Sequence, residues 1–308
     1  MATQFTMLVG ISGSGKSSIA REFGNLGYYV ASSDELRIEL LGNYADKEHN
    51  DQTFHELHKR IKERLRAGQP VVYDATNISR KRRIAFLKEI RSIPCHTTAI
   101  MVMCPLDECI DRQALRDMKV PTNAIVAQYR YWQPVAHFEG FDEVQIRDTH
   151  AEYRYIAPYM HDTWLDFGRQ YSKWHRETLR THTELVTEYM LGKTTERWVI
   201  EAAHYHDCGK PFCRCWNEQN IATYHCHENV SAYEAYYHLF LDVNPRFSEA
   251  ELLNIMELIN LHMTPHNVWK DNPKLEERDR KLFGDKMYRY VKLLGEADVA
   301  ACEVEDYA

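Results

Sequence analysis

Along the first 150 residues, short apolar runs alternate with longer stretches whose apolar residues recur at helical spacing. Thr6–Val9 is an apolar run that ends at a glycine-rich turn, and a helix begins over Ser17–Phe23. Tyr28–Ala31 reads as a second strand. A long amphipathic helix spans about Asp46 to Ala67 and stops at Gly68 and Pro70. Val71–Tyr73 leads into Asp74, Arg80–Arg91 reads as helix and Thr97–Met103 as strand. Helices flank Pro121, and Val144–Arg147 closes the series as a last strand. Such alternation predicts a parallel sheet with helices on both faces and ligands at the carboxyl ends of its strands. The turn after Val9 and the carboxylate of Asp74 both fall at such ends.

Near residue 160 the pattern changes. Strand-like runs disappear, and Leu185, Tyr189 and Met190, then Leu252, Leu253, Met256, Ile259 and Leu261, recur at helical spacing. The reading is therefore an α/β domain over 1–150, a packed aromatic and charged connector over 151–169, and an all-α domain over 170–308. A length of 308 residues fits two domains. With 44% hydrophobic and 27% charged residues the chain has the composition of a globular protein.

A net charge of −7 argues against a surface coated in positive charge for sequence-independent duplex binding. It leaves room for an enzyme that grips one strand end. The basic clusters Lys59–Arg66 and Arg80–Arg83 read as solvated helix faces. There is no apolar run of membrane-spanning length and no leader ahead of Phe5, so a cytoplasmic protein without membrane contact is expected. Free thiols are the expected state of its eight cysteines. The four between 208 and 226 lack the spacing of paired zinc knuckles.

Gly10-Ile11-Ser12-Gly13-Ser14-Gly15-Lys16-Ser17 fits the G-x-x-x-x-G-K-[ST] phosphate-binding loop. Between a strand and a helix, such a loop turns the backbone N–H groups of residues such as Gly13, Ser14, Gly15 and Ser18 toward one anion. Lys16 can reach the β- and γ-phosphates, and the Ser17 hydroxyl can ligate Mg²⁺. Asp34, in Ser32-Ser33-Asp34-Glu35-Leu36-Arg37, stands at the rim as a base for an acceptor hydroxyl, or else Ser33 or Asp34 caps the following helix. Arg112 and Arg116 are four apart, as a helix-borne lid over a triphosphate would need.

GISGSGKS, SSDELR, VVYDATN with Arg80–Arg83, and RQALRDMKVP together resemble the P-loop kinase domain of polynucleotide 5′-hydroxyl kinases over most of 1–150. The resemblance implies ATP and Mg²⁺ as cofactors and Asp34 as general base. It also makes Arg37 the clamp on the phosphate beside the 5′-hydroxyl, and Arg116 a contact to the nucleotide.

In the second half, His206-Asp207 offers two adjacent metal ligands among further candidates: His182, His227, His262 and Asp298. Histidines suit Mn²⁺, Fe²⁺, Zn²⁺ or Ni²⁺ better than Mg²⁺, and one carboxylate can bridge two ions. THTELV, AHYHDCGKP, CHENVSA, LHMTP and EADVAA, in this order, resemble the HD-domain phosphohydrolases over about 170–308. The resemblance implies an all-α fold, with His182, His206, Asp207 and Asp298 on one metal. His227 and His262 complete a second site, and Lys210 faces a substrate phosphate. His175, His204, His225 and His266 are expected around the ligands or at the surface.

Bacterial enzymes that join an HD domain to a polynucleotide kinase are similar in content, with the two domains in the reverse order. The expectation is an end-healing enzyme that phosphorylates a 5′-hydroxyl with ATP and removes a 2′,3′-cyclic or 3′/2′ phosphate with a transition metal such as Mn²⁺. RNA or DNA strand ends would be its partners, with an RNA ligase acting downstream. A small-molecule kinase fused to a nucleotide phosphohydrolase, and an ATP-gated binding module, are the competing classes.

Overall fold

A computed structural model describes residues 3–42, 49–117, 119–175, 177–240 and 247–302. The chain divides into two compact units, Met1–Tyr129 with Glu139–Tyr155 and Arg130–Phe138 with Ile156–Ala308.

In the first unit, strands β1 (Thr3–Val9), β2 (Tyr29–Ser32), β3 (Val71–Asp74), β4 (Cys95–Met103) and β5 (Glu143–Asp148) form one sheet in the order β2-β3-β1-β4-β5. All four pairings are parallel, with Phe5 opposite Val71 and Thr97. Helices α1 (Lys16–Asn25), α2 (Ser33–Leu41), α3 (Asn50–Arg66), α4 (Arg80–Ile90), α5 (Leu106–Ala114) and α6 (Thr122–Tyr131) connect or follow the strands. The predicted start of the long helix at Asp46 lies outside the described residues.

Successive residues of β1 serve opposite faces. Leu8 packs with Ile19 and Ala20 of α1, Val72, Ile100 and Val102 on one face, while the Phe5 ring meets Phe86 of α4 at 5.5 Å on the other. A parallel strand covered on both faces must be apolar throughout, which is why β1 reads as a continuous hydrophobic run.

The Arg80–Arg83 cluster departs from the solvated face expected of it. Arg83 is buried and forms a two-pronged ion pair with buried Glu139, at 2.7 Å from Nε and 2.6 Å from Nη2. Arg80 lies 3.5 Å from the same carboxylate. Only the Lys59–Arg66 cluster is a solvated face, where Arg60 pairs with Glu39 and Lys62 with Glu89. Removing one partner of a buried pair strands the other charge. Arg83→Leu is therefore expected to destabilise the first unit by about 3–5 kcal/mol, read as a lowered denaturation midpoint in guanidinium chloride. Combining it with Glu139→Leu should restore much of the loss.

The one-turn helix α7 (Tyr153–Ile156) spans the division, and the second unit is built on α8 (Leu179–Leu191), α9 (Arg197–Tyr205), the short α10 (Lys210–Cys213), α11 (His227–Phe240), α12 (Glu249–Leu261) and α13 (Pro273–Cys302). The long last helix is broken at Gly284, whose φ of 72° needs glycine's freedom. Residues 130–138 count with this unit: Trp132 stacks edgewise on Tyr233 at 4.9 Å, and the His137 backbone N–H donates to Glu257. The unit is not purely helical. Strands β6 (Cys215–Trp216) and β7 (Ala222–Thr223) form a small antiparallel hairpin, too short for alternation to reveal. Among the described residues no helix is long and apolar enough to cross a membrane.

Candidate functional site

The order β2-β3-β1-β4-β5 sends the chain from β1 toward β2 on one side and from β3 toward β4 on the other. A crevice therefore opens beyond the carboxyl ends of β1 and β3, where such sheets bind ligands. Both strands deliver functional groups there.

The phosphate loop follows β1. Gly13 and Gly15 have φ of 90° and 92°. A Cβ on Gly13 would stand 2.3 Å from the Cys109 carbonyl oxygen, so both backbone conformation and space require glycine there. Lys16 is buried and donates to the Ile11 carbonyl at 2.7 Å, and the Ser12 N–H donates to Gln128 at 2.7 Å. Thr149, just after β5, donates to the Ser14 carbonyl at 2.8 Å and so braces the loop from behind. Ser18 lies in the first turn of α1, its N–H donating to the Gly15 carbonyl at 3.0 Å.

Asp74 ends β3 opposite Ser32 of β2, near the Ser17 hydroxyl. Burial pushes the Asp74 carboxyl up, opposed by Lys16 and by the Ser17 hydroxyl. Burial pushes Lys16 down, opposed by Asp74. Each charge thus relies on the other, and a hydroxyl beside a buried carboxylate is a donor set for Mg²⁺. Asp74 did not enter the set of predicted site residues, although its place at a strand end marked it.

Asp34 stands in the first turn of α2, where its side chain is 62% exposed, and Arg37 bonds it at 2.8 Å. The exposure matters, since an acceptor hydroxyl can reach this carboxylate. Neither Asp34 nor Ser33 is the helix cap. That position belongs to Ser32, whose hydroxyl accepts the Glu35 N–H. Arg37 is mostly buried and also donates to Asn50 at 3.1 Å.

The two lid arginines do not share one helix. α5 ends at Ala114 with Leu115 as its cap, so Arg116 lies beyond it. Its charge still acts on both Lys16 and Asp74. Arg112 is tied to Glu108 at 2.6 Å and to the Thr149 carbonyl, which directs it to the base of the loop.

In the second unit, six side chains from five places in the sequence meet. His182 is on α8, His206 and Asp207 follow α9, His227 opens α11, His262 caps α12 and Asp298 is on α13. His182 Nε2 lies 3.0 Å from Asp298 Oδ1 and 3.4 Å from Asp207 Oδ2, and His206 Nε2 lies 3.3 Å from Asp207 Oδ2. The other oxygen, Asp207 Oδ1, is 3.2 Å from His227 Nε2 and 4.0 Å from His262 Nε2. One carboxylate thus lies between two histidine pairs.

The rings are held in one tautomer. His206, His227 and His262 each direct Nδ1 at the backbone carbonyl three residues earlier, at 2.7, 2.8 and 2.6 Å. A carbonyl only accepts, so Nδ1 carries the proton and Nε2 the lone pair. His182 Nδ1 lies 3.2 Å from the Glu177 carboxylate. The Nε2 atoms of His182 and His206 stand 3.3 Å apart and those of His227 and His262 3.1 Å apart. Such a convergence calls for cations, and the mix of imidazole and carboxylate suits Mn²⁺, Fe²⁺, Zn²⁺ or Ni²⁺. His182, His206, Asp207 and Asp298 could hold one ion, and Asp207, His227 and His262 another.

Burial disfavours a charged His206, yet Asp207 and Asp298 outweigh it and raise the ring to about 10, so a cation taking Nε2 displaces the proton otherwise held there. Burial also opposes ionisation of Asp207, but His206 and Lys210 hold it well below the usual carboxylate range. Lys210 is buried, with Nζ 2.6 Å from Asp207 and 2.7 Å from Gln170.

Three neighbours, Glu177, Gln170 and Cys302, were not assigned a role from sequence, and His266 was expected around the ligands or at the surface. Glu177 orients His182, and Gln170 anchors Lys210. His266 lies 3.0 Å from Asp298 Oδ2, and Cys302 touches His175 at 3.3 Å. His204 instead lies 3.4 Å from Asp162. Carboxylates behind a ligating histidine fix its ring and its basicity. Glu177→Gln is expected to weaken Mn²⁺ binding about ten- to a hundred-fold, as titration calorimetry would read. Cysteines 208, 213, 215 and 226 form no such cluster among the described residues.

Residues 5–135 match a protein family described as AAA domain. With the glycine loop and the parallel sheet, they make a P-loop domain, a fold whose loop is built to bind a nucleoside triphosphate with Mg²⁺. Among solved structures, a protein of Chloroflexus aurantiacus J-10-fl described as a candidate kinase is similar at 17% identity, covering 49% of this chain and 90% of that one with a TM-score of 0.40. A gluconokinase from Sinorhizobium meliloti 1021 is similar at 19% identity, covering 48% and 83% with a TM-score of 0.34. A chain of the Pnkp1/Rnl/Hen1 complex is similar at 20% identity, covering 39% and 41% with a TM-score of 0.33. No curated protein gives a significant match.

Proposed function

We propose that this chain heals broken nucleic-acid ends: the first unit phosphorylates a 5′-hydroxyl, and the second, an HD-type phosphohydrolase, removes a 2′,3′-cyclic or 3′/2′ phosphate. The observation that carries the reading is Asp207, each of whose oxygens faces its own histidine pair. That is the donor arrangement for two ions bridged by one carboxylate. Divalent ions bound there supply Lewis acidity for attack on a phosphoester. The chain's own groups do the rest. Asp298 and Glu177 hold His182, and Lys210 turns from Asp207 to the substrate phosphate.

In the first unit Lys16 leaves the Ile11 carbonyl for the β- and γ-phosphates, and Asp34 accepts the proton of the incoming hydroxyl. Arg37 keeps Asp34 in place and takes the phosphate next to that hydroxyl. An RNA ligase acting on the healed ends is the downstream partner, and the free thiols suit a cytoplasmic location.

The test offers 5′-hydroxyl RNA and DNA oligonucleotides with γ-labelled ATP and Mg²⁺ beside free nucleosides and small hydroxylated metabolites. It also offers RNA ending in a 2′,3′-cyclic phosphate with Mn²⁺. Label on the oligonucleotides and opening of the cyclic phosphate are expected. Label confined to nucleosides or metabolites overturns the strand-end reading.

A further inference from the structure

Beside the histidine and aspartate cluster, the second unit exposes aromatic rings that its core does not use. Trp216, on the hairpin strand β6, is 50% exposed, and Tyr171 is 56% exposed. Their rings meet at 5.6 Å, inclined by 52°. Arg214 lies over the Trp216 ring at 5.3 Å and over the Phe167 ring at 4.3 Å. Phe167 leads inward to Tyr224 at 6.3 Å, and Lys210 Nζ lies 5.7 Å from the Tyr224 ring and 2.6 Å from Asp207. A continuous path of rings and cations thus runs from the surface to the carboxylate shared by both histidine pairs.

The path is built with some strain. Tyr171 has a φ of 52°, a conformation uncommon for a bulky residue, and its carbonyl accepts the Ala222 N–H of β7 at 2.9 Å. The hydroxyl of Tyr224 donates to the carbonyl of Gln170, which precedes Tyr171 and whose side chain holds Lys210. The backbone that presents the Tyr171 ring is therefore fixed both to the hairpin and to the groups around Asp207. Strained residues held by several contacts are typical of ligand sites.

We infer that Tyr171, Arg214 and Trp216 form a shelf for an unpaired nucleobase at the end of a single strand whose terminal phosphate lies at Lys210 and Asp207. Flat rings flanked by a guanidinium are the means by which proteins hold single-stranded nucleic acid irrespective of sequence. Arg214 and Lys210 complement the backbone phosphates. In a duplex the end base is paired and stacked on its neighbour, so seating it between these side chains costs unpairing and unstacking. The inference rests on the end-healing reading of the same unit and names how it selects its substrate.

The experiment separates the two. Fluorescence anisotropy follows a labelled adenosine hexanucleotide with a 3′-phosphate binding to wild type, Trp216→Ala, Trp216→Tyr and Tyr171→Ala, with circular dichroism confirming each fold. Opening of glycerol 1,2-cyclic phosphate, which has no base, is measured on the same preparations with Mn²⁺. Trp216→Ala and Tyr171→Ala should each weaken strand binding about ten-fold, Trp216→Tyr should restore most of it, and hydrolysis of the base-free probe should stay within about two-fold. Strand binding that is unchanged in both alanine variants, or equally tight binding of a blunt duplex, overturns the shelf. Equal losses on the strand and the base-free probe also overturn it, because they mark a merely structural role. Strand binding lost in the variants of a protein that hydrolyses neither phosphate leaves the shelf standing and removes the hydrolase reading.

Discussion

On the proposed function, Asp207→Asn is expected to lower phosphoester hydrolysis by the second unit about three orders of magnitude in kcat and to reduce the Mn²⁺ it binds to one ion or fewer. The size follows from the geometry. Asp207 is buried, and its oxygens are the only carboxylate atoms that face both histidine pairs among the described residues. Asparagine keeps the shape but removes the charge and turns one oxygen into a donor, which no longer faces a cation. Losing several kcal/mol of charge stabilisation in the transition state costs a thousand-fold or more. The measurements are metal stoichiometry by elemental analysis and the rate on a 2′,3′-cyclic-phosphate RNA. Chelation of wild type should reproduce the loss and added Mn²⁺ reverse it, while the variant should not recover. Retained hydrolysis in Asp207→Asn would refute the assignment of this cluster.

The six clustered side chains were legible in the sequence because their residue types are rare in combination. His206-Asp207 is a local pair, and the other four fall on segments with helical spacing, so their order could be compared position by position with that of the enzymes the sequence resembles. What oriented them was not legible. Glu177 lies five residues before His182 and reads as an ordinary helix-start acid, and only the fold puts its carboxylate on Nδ1. The strands of the sheet were legible because both faces are covered, which leaves uninterrupted apolar runs between glycines and carboxylates. Their order was not, since parallel pairing is set by crossovers and not by neighbours in sequence.

Arg83 shows the same limit. Its partner Glu139 is 56 residues away, and nothing local distinguishes it from the exposed Arg82 beside it. Arg116 was misplaced for a different reason. A spacing of four implies one helical face only while the helix lasts, and α5 stops at Ala114. Asp74 was visible as a strand-end carboxylate, but its place near Ser17 depends on β3 lying beside β1.

Lys16→Ala and Asp34→Ala should separate two kinds of loss in the first unit. Lys16 is drawn toward the phosphates only when ATP is present, for without it the ammonium is satisfied by the Ile11 carbonyl. Its charge acts on the phosphoryl group in flight, so Lys16→Ala is expected to lower kcat about a thousand-fold. Asp34 lies outside the loop, and its side chain is mostly exposed. Asp34→Ala should therefore leave the KM for ATP within a few-fold of wild type while lowering kcat about 10²- to 10⁴-fold, the range for a lost general base. Arg37→Gln, which removes the partner of Asp34, should raise the KM for a 5′-hydroxyl oligonucleotide more than that for ATP. Initial rates of label transfer at varied ATP and varied acceptor check all three. A large rise in the ATP KM of Asp34→Ala would place this carboxylate in nucleotide binding and remove it as the base. None of the three should alter opening of a cyclic phosphate, since Lys16, Asp34 and Arg37 belong to a different compact unit from Asp207.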